Sequence, residues 1–268
     1  IVDQTLSTGQ SHTCALLVGG AVKCWGRGAN GRLGYGNTAN HLVPLSTTVN
    51  LGGTAQQISV GDAHTCALLV GGVVKCWGWG ADGRLGYGDE NDLLAPSSTG
   101  VDLGPGAVAV QVSAGSRHTC AVLEGGSVKC WGDGGDGRLG YGDTAGQLSP
   151  PAAAVDLGPG AVALQVSARF THTCALLQGG AVKCWGSGSQ GHLGYGDTTD
   201  QLSPPAAAVD LGPGAVALQV SAGSSHTCAL LQGGAVKCWG WGAYGRLGYG
   251  DTADQLSPPA AAVDLGPG

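Results

Sequence analysis

The stretch SHTCALLVGGAVKCWGRGANGRLGYG occupies residues 11–36, and near-copies of it begin at Ala63, Arg117, Thr171 and Ser225. Each copy keeps one His, two Cys ten positions apart, and a Trp directly after the second Cys. The histidines lie 52, 54, 54 and 54 residues apart, so the chain divides into five whole repeats. Self-similarity at such a period is typical of architectures in which one structural unit stacks on the next. We therefore expect a single domain over 1–268, built from the repeats 1–52, 53–106, 107–160, 161–214 and 215–268.

Each repeat is predicted to consist of strands and turns. In 215–268 the segments AVALQVSAG, HTCALL, AVKCWG and SPPAAAVDL are separated by Gly-rich connections, and helical periodicity is absent. Four short strands in about 54 residues are typical of a propeller blade. The prediction is an all-β β-propeller with five blades, one per repeat, rather than a solenoid. A ring of whole repeats seals its ends by first-to-last contact, so residues 1–8 are expected to pair with the last blade.

These motifs resemble the repeat of the regulator of chromosome condensation family. The resemblance rests on the Gly-x-x-His before the hairpin, the Trp-Gly after it, and the Gly-x-Leu-Gly-x-Gly-Asp loop, and it covers all five repeats. It implies a β-propeller with approximately one repeat per blade. Two features depart from the family pattern. Family propellers usually have seven blades, and the paired cysteines are absent from the nuclear protein but look like those of bacterial, exported versions.

The ten cysteines form five pairs of equal spacing, and the first pair shows how the two members meet. If Val18–Gly20 is a three-residue hairpin loop, a type I turn followed by a left-handed Gly, then Cys14 faces Cys24. When Leu17 and Ala21 form a hydrogen-bonded pair, alternation makes the two cysteines a non-hydrogen-bonded pair with closer side chains. We expect one disulfide per repeat and an oxidising compartment. The predicted disulfide residues are Cys14, Cys24, Cys66, Cys76, Cys120, Cys130, Cys174, Cys184, Cys228 and Cys238.

Zinc is the alternative interpretation of the same residues. His12 and Cys14 share a strand face and Cys24 lies opposite, so each repeat offers three ligands of the kind that zinc takes. No fourth ligand recurs, however, and the spacing is not that of a zinc ribbon or finger. We therefore expect no metal and no cofactor, with the repeated His in a structural role.

Three further repeated residue types are expected to be structural. The Trp after each second Cys is expected to pack between blades, and the Asp of each GYGD to cap a turn. The Lys two positions before that Trp is expected to be a solvated residue at the blade edge.

Comparison of the repeats with one another locates the variation. Two places change, namely the three residues before each His and the residues after Trp-Gly. In an up-and-down blade both places lie at the same end, so the variable residues would share one face. Trp, Tyr and Arg are types that anchor protein interfaces, whereas drift in exposed loops would more often yield Ser, Asn, Lys and Glu. The candidate binding residues are Arg27, Asn30, Trp79, Asp82, Arg117, Asp133, Arg169, Phe170, Trp241 and Tyr244.

Composition narrows the function. The net charge of −6 argues against a nucleic-acid partner, and no apolar run is long enough for membrane insertion. Catalysis needs one asymmetric constellation of reactive groups, and nearly every His belongs to a repeat, so no enzyme is predicted. The sequence predicts an extracellular or cell-surface binding propeller that recognises a protein partner through its variable loops. The alternative is a multivalent lectin-like protein with a carbohydrate ligand, or a purely structural surface repeat protein.

Overall fold

A computed structural model of the chain describes residues 5–266. The chain forms two compact units, of which residues 1–133 with 146–154 make the first and residues 134–145 with 155–268 make the second. Each unit consists of strands joined by loops and single turns of 3-10 helix, and each is described by itself. None of these helical turns, within 5–266, has the length needed to cross a bilayer. A single domain over 1–268 stays a prediction.

The first unit contains three antiparallel sheets of three strands, one per repeat, with the strands in chain order. A turn of 3-10 helix follows the third strand of the first two repeats, at Ala29–Gly31 and Ala81–Gly83. The strands are β1 (Thr5–Thr8), β2 (His12–Leu16), β3 (Val22–Gly26), β4 (Ala55–Val60), β5 (His64–Leu69), β6 (Val74–Gly78), β7 (Ala109–Ala114), β8 (His118–Leu123) and β9 (Val128–Gly132).

The second unit contains two sheets of the same kind. Its 3-10 turns are Gly135–Gly137, Ser189–Gly191 and Ala243–Gly245. Its strands are β10 (Ala163–Ala168), β11 (His172–Leu177), β12 (Val182–Gly186), β13 (Ala217–Ala222), β14 (His226–Leu231) and β15 (Val236–Gly240). The prediction of one sheet per repeat is confirmed.

The hairpin between the second and third strands has the predicted register. Cys14 lies opposite Cys24, and the Leu17 N–H donates to the Ala21 carbonyl at 2.8 Å. The turn itself differs from the prediction, because Gly19 has φ 85°. A positive φ at this third position indicates a type II turn, closed by a 3.0 Å bond from Gly20 N–H to Leu17 O, rather than a type I turn with a bulge.

All five cysteine pairs form disulfides within their own repeats, as predicted. The Cα atoms of Cys14 and Cys24 are 4.1 Å apart, as expected for a non-hydrogen-bonded pair of facing residues. No described cysteine is left free, so none offers zinc a thiolate ligand.

The predicted fourth strand is wrong. Each sheet has three strands, and the segment that follows the 3-10 turn pairs with the sheet through isolated contacts only. In repeat 1 these contacts are one bridge between Gly26 and His41 and one bond from Val49 N–H to Val22 O. The prolines in this segment lack the N–H that a ladder requires, so the chain runs along the sheet without joining it.

The predicted pairing of the first residues with the last blade is also wrong for the described part of the segment. Thr5–Thr8 forms β1 and pairs with β2 of its own repeat, with Ser7 opposite Cys14. Residues 1–4 lie outside the described residues. The connection between β1 and β2, Gly-Gln-Ser at residues 9–11, is short enough for a hairpin. The backbone groups along one edge of β1 therefore form their hydrogen bonds with β2 of the same repeat.

The core lies between successive sheets, and the repeated Trp of repeats 2 to 5 occupies its centre as predicted, whereas Trp25 of repeat 1 is half-buried. Trp77 is fully buried among Leu16, Leu33 and Val49 of the preceding repeat, and its indole N–H donates to Arg32 O at 3.1 Å. A buried indole needs such an acceptor, and the repeat before it supplies one. Trp239 of the second unit is placed in the same way, with His192 O as its acceptor.

The repeated Lys residues of repeats 2 to 5 are buried, which corrects the prediction of a solvated blade edge, whereas Lys23 of repeat 1 is half-buried. Lys75 is only 6% exposed, and its ammonium group donates to Ser98 O at 3.1 Å. Lys129 and Lys237 donate likewise to Leu103 O and Leu211 O. The long aliphatic stem packs on the sheet, and carbonyls of the returning segment satisfy the charge.

One set of hydrogen bonds recurs between successive repeats. The Thr65 hydroxyl donates to Arg32 O at 2.8 Å and lies 2.8 Å from His12 Nε2. Since the hydroxyl has one proton, which it donates to Arg32 O, the His12 ring donates from Nε2. Equivalent bonds join His64, Arg84 and Thr119 in the first unit, and His172, His192 and Thr227 in the second. We call this arrangement, with the buried Trp, the repeat interface.

Candidate functional site

The two variable loops of a repeat lie together at one end of its sheet. In the first unit, Trp79 N–H donates to Ala63 O at 3.0 Å, and Asp133 N–H donates to Arg117 O at 2.9 Å. In the second unit, Trp241 N–H donates to Ser225 O at 2.9 Å. The loop before the His and the loop after Trp-Gly therefore form one surface in each repeat, which we call the paired loops. The hairpin turns lie at the opposite ends of the strands.

The loop after Trp-Gly places one variable residue in the left-handed conformation. This residue is Asn30, Asp82, Asp136, Gln190 or Tyr244, with φ between 53° and 65°. Asn and Asp adopt this conformation at little cost, because their short side chains form local hydrogen bonds. A bulky Tyr rarely does, and Tyr244 is 89% exposed. Backbone strain held in an exposed aromatic residue is a feature of sites that select the residue for function.

A repeated Arg braces the paired loops, and sequence reasoning missed it. Arg32 is buried, and its Nη1 donates to Ser11 Oγ and to Asp62 O, both at 2.9 Å. Arg84 is 1% exposed and donates to Ser116 O of the next repeat at 2.9 Å. Burial lowers the pKa of both guanidinium groups, yet an Arg keeps its charge in proteins. The sequence contains a signal for this residue, namely the Arg of GRLG, which lies five residues after the variable position occupied by Trp79 in repeat 2.

In the first unit the main cluster is Trp79, Asp82 and Arg84. The Arg84 guanidinium lies 4.3 Å from the centre of the Trp79 ring, and its Nη2 is 2.5 Å from Asp82 Oδ2. Trp79 is 36% exposed, whereas Trp77, two residues earlier, is fully buried. The cluster therefore presents a large aromatic surface whose underlying charge is neutralised by Asp82.

Other predicted residues of the first unit form polar contacts. Arg117 Nη1 lies 3.8 Å from Asp133 Oδ2 across the paired loops of one repeat. Asn30 Nδ2 donates to Asp92 Oδ2 of the next repeat at 2.9 Å. Arg27 is exposed, so its charge faces solvent.

In the second unit the main cluster is Trp241, Tyr244 and Arg246. The Arg246 guanidinium lies 4.1 Å from the Trp241 ring centre and 5.7 Å from that of Tyr244. The two rings pack edge to face, with centroids 6.1 Å apart. Arg246 is half-buried and stacks on both rings, so the cluster combines aromatic surface with positive charge.

Phe170 and Arg169 belong to the second unit but not to that cluster. Phe170 is half-exposed, and its carbonyl accepts a bond from Arg138 Nη1 at 3.3 Å. Arg138 in turn lies 2.9 Å from Asp136 Oδ2. Arg169 is half-buried, and its N–H donates to His172 O at 3.1 Å.

The repeated histidines are poor candidates for acid–base chemistry. Burial, aided by the charge of Arg32, lowers the pKa of His12 to about 3, and burial holds that of His64 well below 6.5. Each is fixed between two repeats rather than in a cleft. No group of three or more His, Cys, Asp or Glu within residues 5–266 is placed to hold a metal.

The repeated acidic residues cap turns, as predicted. Asp89 Oδ1 accepts the N–H of Asn91 at 3.0 Å, and Asp251 Oδ1 accepts that of Ala253 at 3.0 Å. This is the Asx-turn pattern, in which the side chain replaces a backbone acceptor.

Stacked three-stranded antiparallel sheets, with paired loops at one end of each, define a repeat protein of the propeller class. The chain belongs to the RCC1-like domain family, whose match covers residues 1–265. This confirms the resemblance found in the sequence.

Named relatives extend this finding. The chain is 37% identical over 254 residues to the ultraviolet-B receptor UVR8 of Arabidopsis thaliana, covering 94% of the chain and 56% of UVR8. It matches the crystal structure of human WBSCR16 with a TM-score of 0.82 and 25% identity, covering 97% of the chain and 66% of WBSCR16. It matches yeast RCC1 (Prp20), in a structure with Kap60 bound, with a TM-score of 0.81 and 21% identity, covering 97% of the chain and 60% of that protein. The chain thus spans between half and two thirds of each of these relatives.

Proposed function

We propose that the chain is a secreted or cell-surface scaffold that recognises a protein partner through its paired loops. The observation that carries the proposal is the cluster of Trp241, Tyr244 and Arg246, in which a strained, exposed Tyr and a Trp flank a guanidinium. Trp, Tyr and Arg dominate the energetics of protein interfaces. We propose a binding role rather than a catalytic one, because His12 and His64 are buried between repeats and their pKa values lie well below 6.5.

The first unit supports the same function with a different surface. Trp79 is supported from beneath by Arg84, and Asp82 neutralises that charge. The ion pair of Arg117 and Asp133 borders the loops of the third repeat. The clusters differ from repeat to repeat, which favours one asymmetric partner over a ligand with five equal sites.

The location rests on the five disulfides. Disulfides persist in oxidising compartments and are rare where thiols are kept reduced. Each closes a loop of ten residues, for which the chain-entropy model gives roughly 2–3 kcal/mol. In the relatives, Kap60 is bound to yeast RCC1, which supports protein binding as a use of this fold but does not identify a partner for this chain.

The test begins with capture from the secretome of the source organism, followed by direct binding measurements with the purified candidate. Trp79→Ala and Trp241→Ala are each expected to weaken binding by about 2 kcal/mol or more, or roughly thirtyfold in Kd, if they are hot spots. Gln232→Ala is the matched control, because Gln232 is exposed in the hairpin turn at the opposite end of β14.

Three results would contradict the proposal. Equal loss in the control would show that the loops are not the site. Retained affinity in both Trp variants would remove the aromatic clusters from it. Binding of free sugars with several equal sites per chain would favour the lectin-like alternative.

A further inference from the structure

A groove in the first unit lies between two segments of repeat 1, namely the GYGN loop at residues 34–37 and residues 45–50, which run back along the sheet. Ala95 of repeat 2 also lines the groove, whose volume is about 440 Å³. Small-molecule sites typically span roughly 300–1,000 Å³. Because the lining comes from two adjoining repeats of the same unit, the groove does not depend on an uncovered sheet face.

The lining of the groove combines apolar surface with polar groups, and no lining residue carries a charge. Tyr35, Leu45 and Ala95 supply the apolar part, and each is half-buried. The Tyr35 hydroxyl is already bonded, because it accepts the Cys24 N–H at 3.0 Å and donates to the Cys24 carbonyl at 3.2 Å. Tyr35 therefore offers the groove its ring rather than its hydroxyl.

Repeat 1 has two asparagines in the groove where the other repeats have aspartates. Asn37 Oδ1 accepts the N–H of Ala39 at 3.0 Å, and Asn50 Oδ1 accepts that of Gly52 at 3.2 Å. The aspartates at these places cap the same turns, so folding does not require the amide. The amide instead removes a negative charge and adds an NH₂ donor. The aspartates are Asp89, Asp143, Asp197 and Asp251 at the first place, and Asp102, Asp156, Asp210 and Asp264 at the second.

Two hydroxyl groups lie beside these amides. Thr47 and Thr48 are exposed, whereas repeats 3 to 5 have Ala at both places. Within residues 5–266, neither Thr hydroxyl has a hydrogen-bond partner, and the same is true of Asn50 Nδ2. The groove thus places donors and acceptors that are open to a ligand next to an aromatic ring and an aliphatic side chain.

We propose that this groove binds an uncharged sugar unit. A sugar ring presents apolar C–H groups on its faces, and the hydroxyls around its edge both donate and accept hydrogen bonds. Amides and Thr hydroxyls match such an edge, whereas a carboxylate only accepts. An ionic ligand would find no opposite charge among the lining residues. The groove uses residues outside the paired loops, and the inference therefore goes beyond the proposed function.

The test starts with an array of neutral and acidic oligosaccharides. The array carries polysaccharide fragments as well as protein-type glycans, so the members that bind also show the source of the sugar. The chain is expected to bind neutral members in preference to acidic ones. Isothermal titration calorimetry with the strongest neutral oligosaccharide is expected to give one site per chain, because only repeat 1 has this lining.

Variants that carry residues from other repeats test the lining. Asn37→Asp combined with Asn50→Asp keeps both turn caps and should raise the Kd at least about tenfold, because it removes two donors and adds two negative charges. Thr47→Ala should raise the Kd about fivefold. Thr99→Ala is the matched control, because Thr99 occupies the place of Thr47 in repeat 2 and is likewise exposed, and it should leave the Kd unchanged. Circular dichroism checks that each variant is folded.

The outcomes separate this groove from the paired loops. Failure to bind any neutral oligosaccharide, or equal binding of acidic ones, would overturn the proposal. Unaltered affinity in the double Asn variant, or an equal loss in Thr99→Ala, would also overturn it. Sugar binding that is lost in Trp79→Ala but kept in the double Asn variant would assign the sugar to the paired loops. The proposed function fails on a different result, namely unaltered affinity of both Trp variants for the protein partner.

Discussion

Residues 77–88 and 239–250 have the same sequence at every position except one, where Asp82 corresponds to Tyr244. In both segments an Arg lies over the ring of a variable Trp, at 4.3 Å for Arg84 and 4.1 Å for Arg246. Arg84 is buried and also bonds Asp82 and Ser116 O, whereas Arg246 is half-buried and lies over Tyr244 as well.

The difference shows which features the repeat motif determines and which features depend on the residues around it. The Trp-Gly-Trp spacing places one Trp in the core and the other on the loop in both segments. The residue in the left-handed position then decides whether the Arg is neutralised by a carboxylate or stacked on a second ring. The following repeat decides whether the Arg is buried, because Ser116 O belongs to the repeat after Arg84.

The largest expected effect is the difference in stability between substitutions of Trp77 and Trp79, the two tryptophans of residues 77–88. Trp77→Ala should lower the free energy of unfolding by about 3–5 kcal/mol, because it leaves a cavity and removes one of the two hydrogen bonds to the Arg32 carbonyl. Trp79→Ala, two residues away, should cost about 1 kcal/mol, the usual worth of a partly exposed cation–π contact. Denaturant unfolding of both variants measures the contrast, and equal losses would contradict the assignment of Trp79 to the surface.

A smaller effect concerns His192, which stands in repeat 4 where Arg84 and Arg246 stand in theirs. Burial lowers the pKa of His192 to about 4, against 6.5 in the unfolded chain. The unfolded state therefore takes up the proton first, so stability is complete above about pH 6.5 and falls as the pH drops toward 4.

His192→Arg should remove this contribution and restore the brace seen in the other repeats. Relative to the unaltered chain, its unfolding free energy should fall by about 2 kcal/mol less between pH 7 and pH 4.5. Unfolding curves at both pH values make the comparison, in which the other buried histidines cancel. Identical pH profiles would show that folding does not lower the pKa of His192.

The smallest expected effect comes from a substitution that gives residues 239–250 the sequence of residues 77–88. Tyr244→Asp should raise stability by about 0.5–1 kcal/mol, since Asp tolerates the left-handed φ of 65° better than Tyr. The same change should weaken partner binding, because it removes the most exposed aromatic side chain of the loop. Asp82→Ala is the companion variant in the first unit. If Tyr244→Asp were less stable than the unaltered chain, the account of backbone strain at Tyr244 would be contradicted.

Sequence reasoning succeeded where one local rule applied. The facing of Cys14 and Cys24 follows from hairpin length and ladder alternation, and the buried Trp follows from its recurrence in a strand end. It failed for Lys75 and for the fourth strand. The burial of Lys75 depends on a carbonyl 23 residues away, and the proline-containing segment had the right composition for a strand but too few donors.

Sequence reasoning predicted the residues of the candidate site that vary between repeats and missed those that are the same in most repeats. Trp79, Trp241 and Tyr244 stood out because they differ between repeats. Arg84 and Arg246 were overlooked because they recur, although they hold those rings in place. Repetition in a sequence indicates a shared position, and the neighbours of that position decide whether its role is structural.

The sequence by itself determined the number of repeats, the hairpin register and the disulfide pairs, because these depend on contacts within about ten residues. Only the tertiary structure decided which copies of a repeated residue are buried, since that depends on the adjoining repeat. Leu6 and Val220 occupy the same place in their repeats and differ in exposure for this reason.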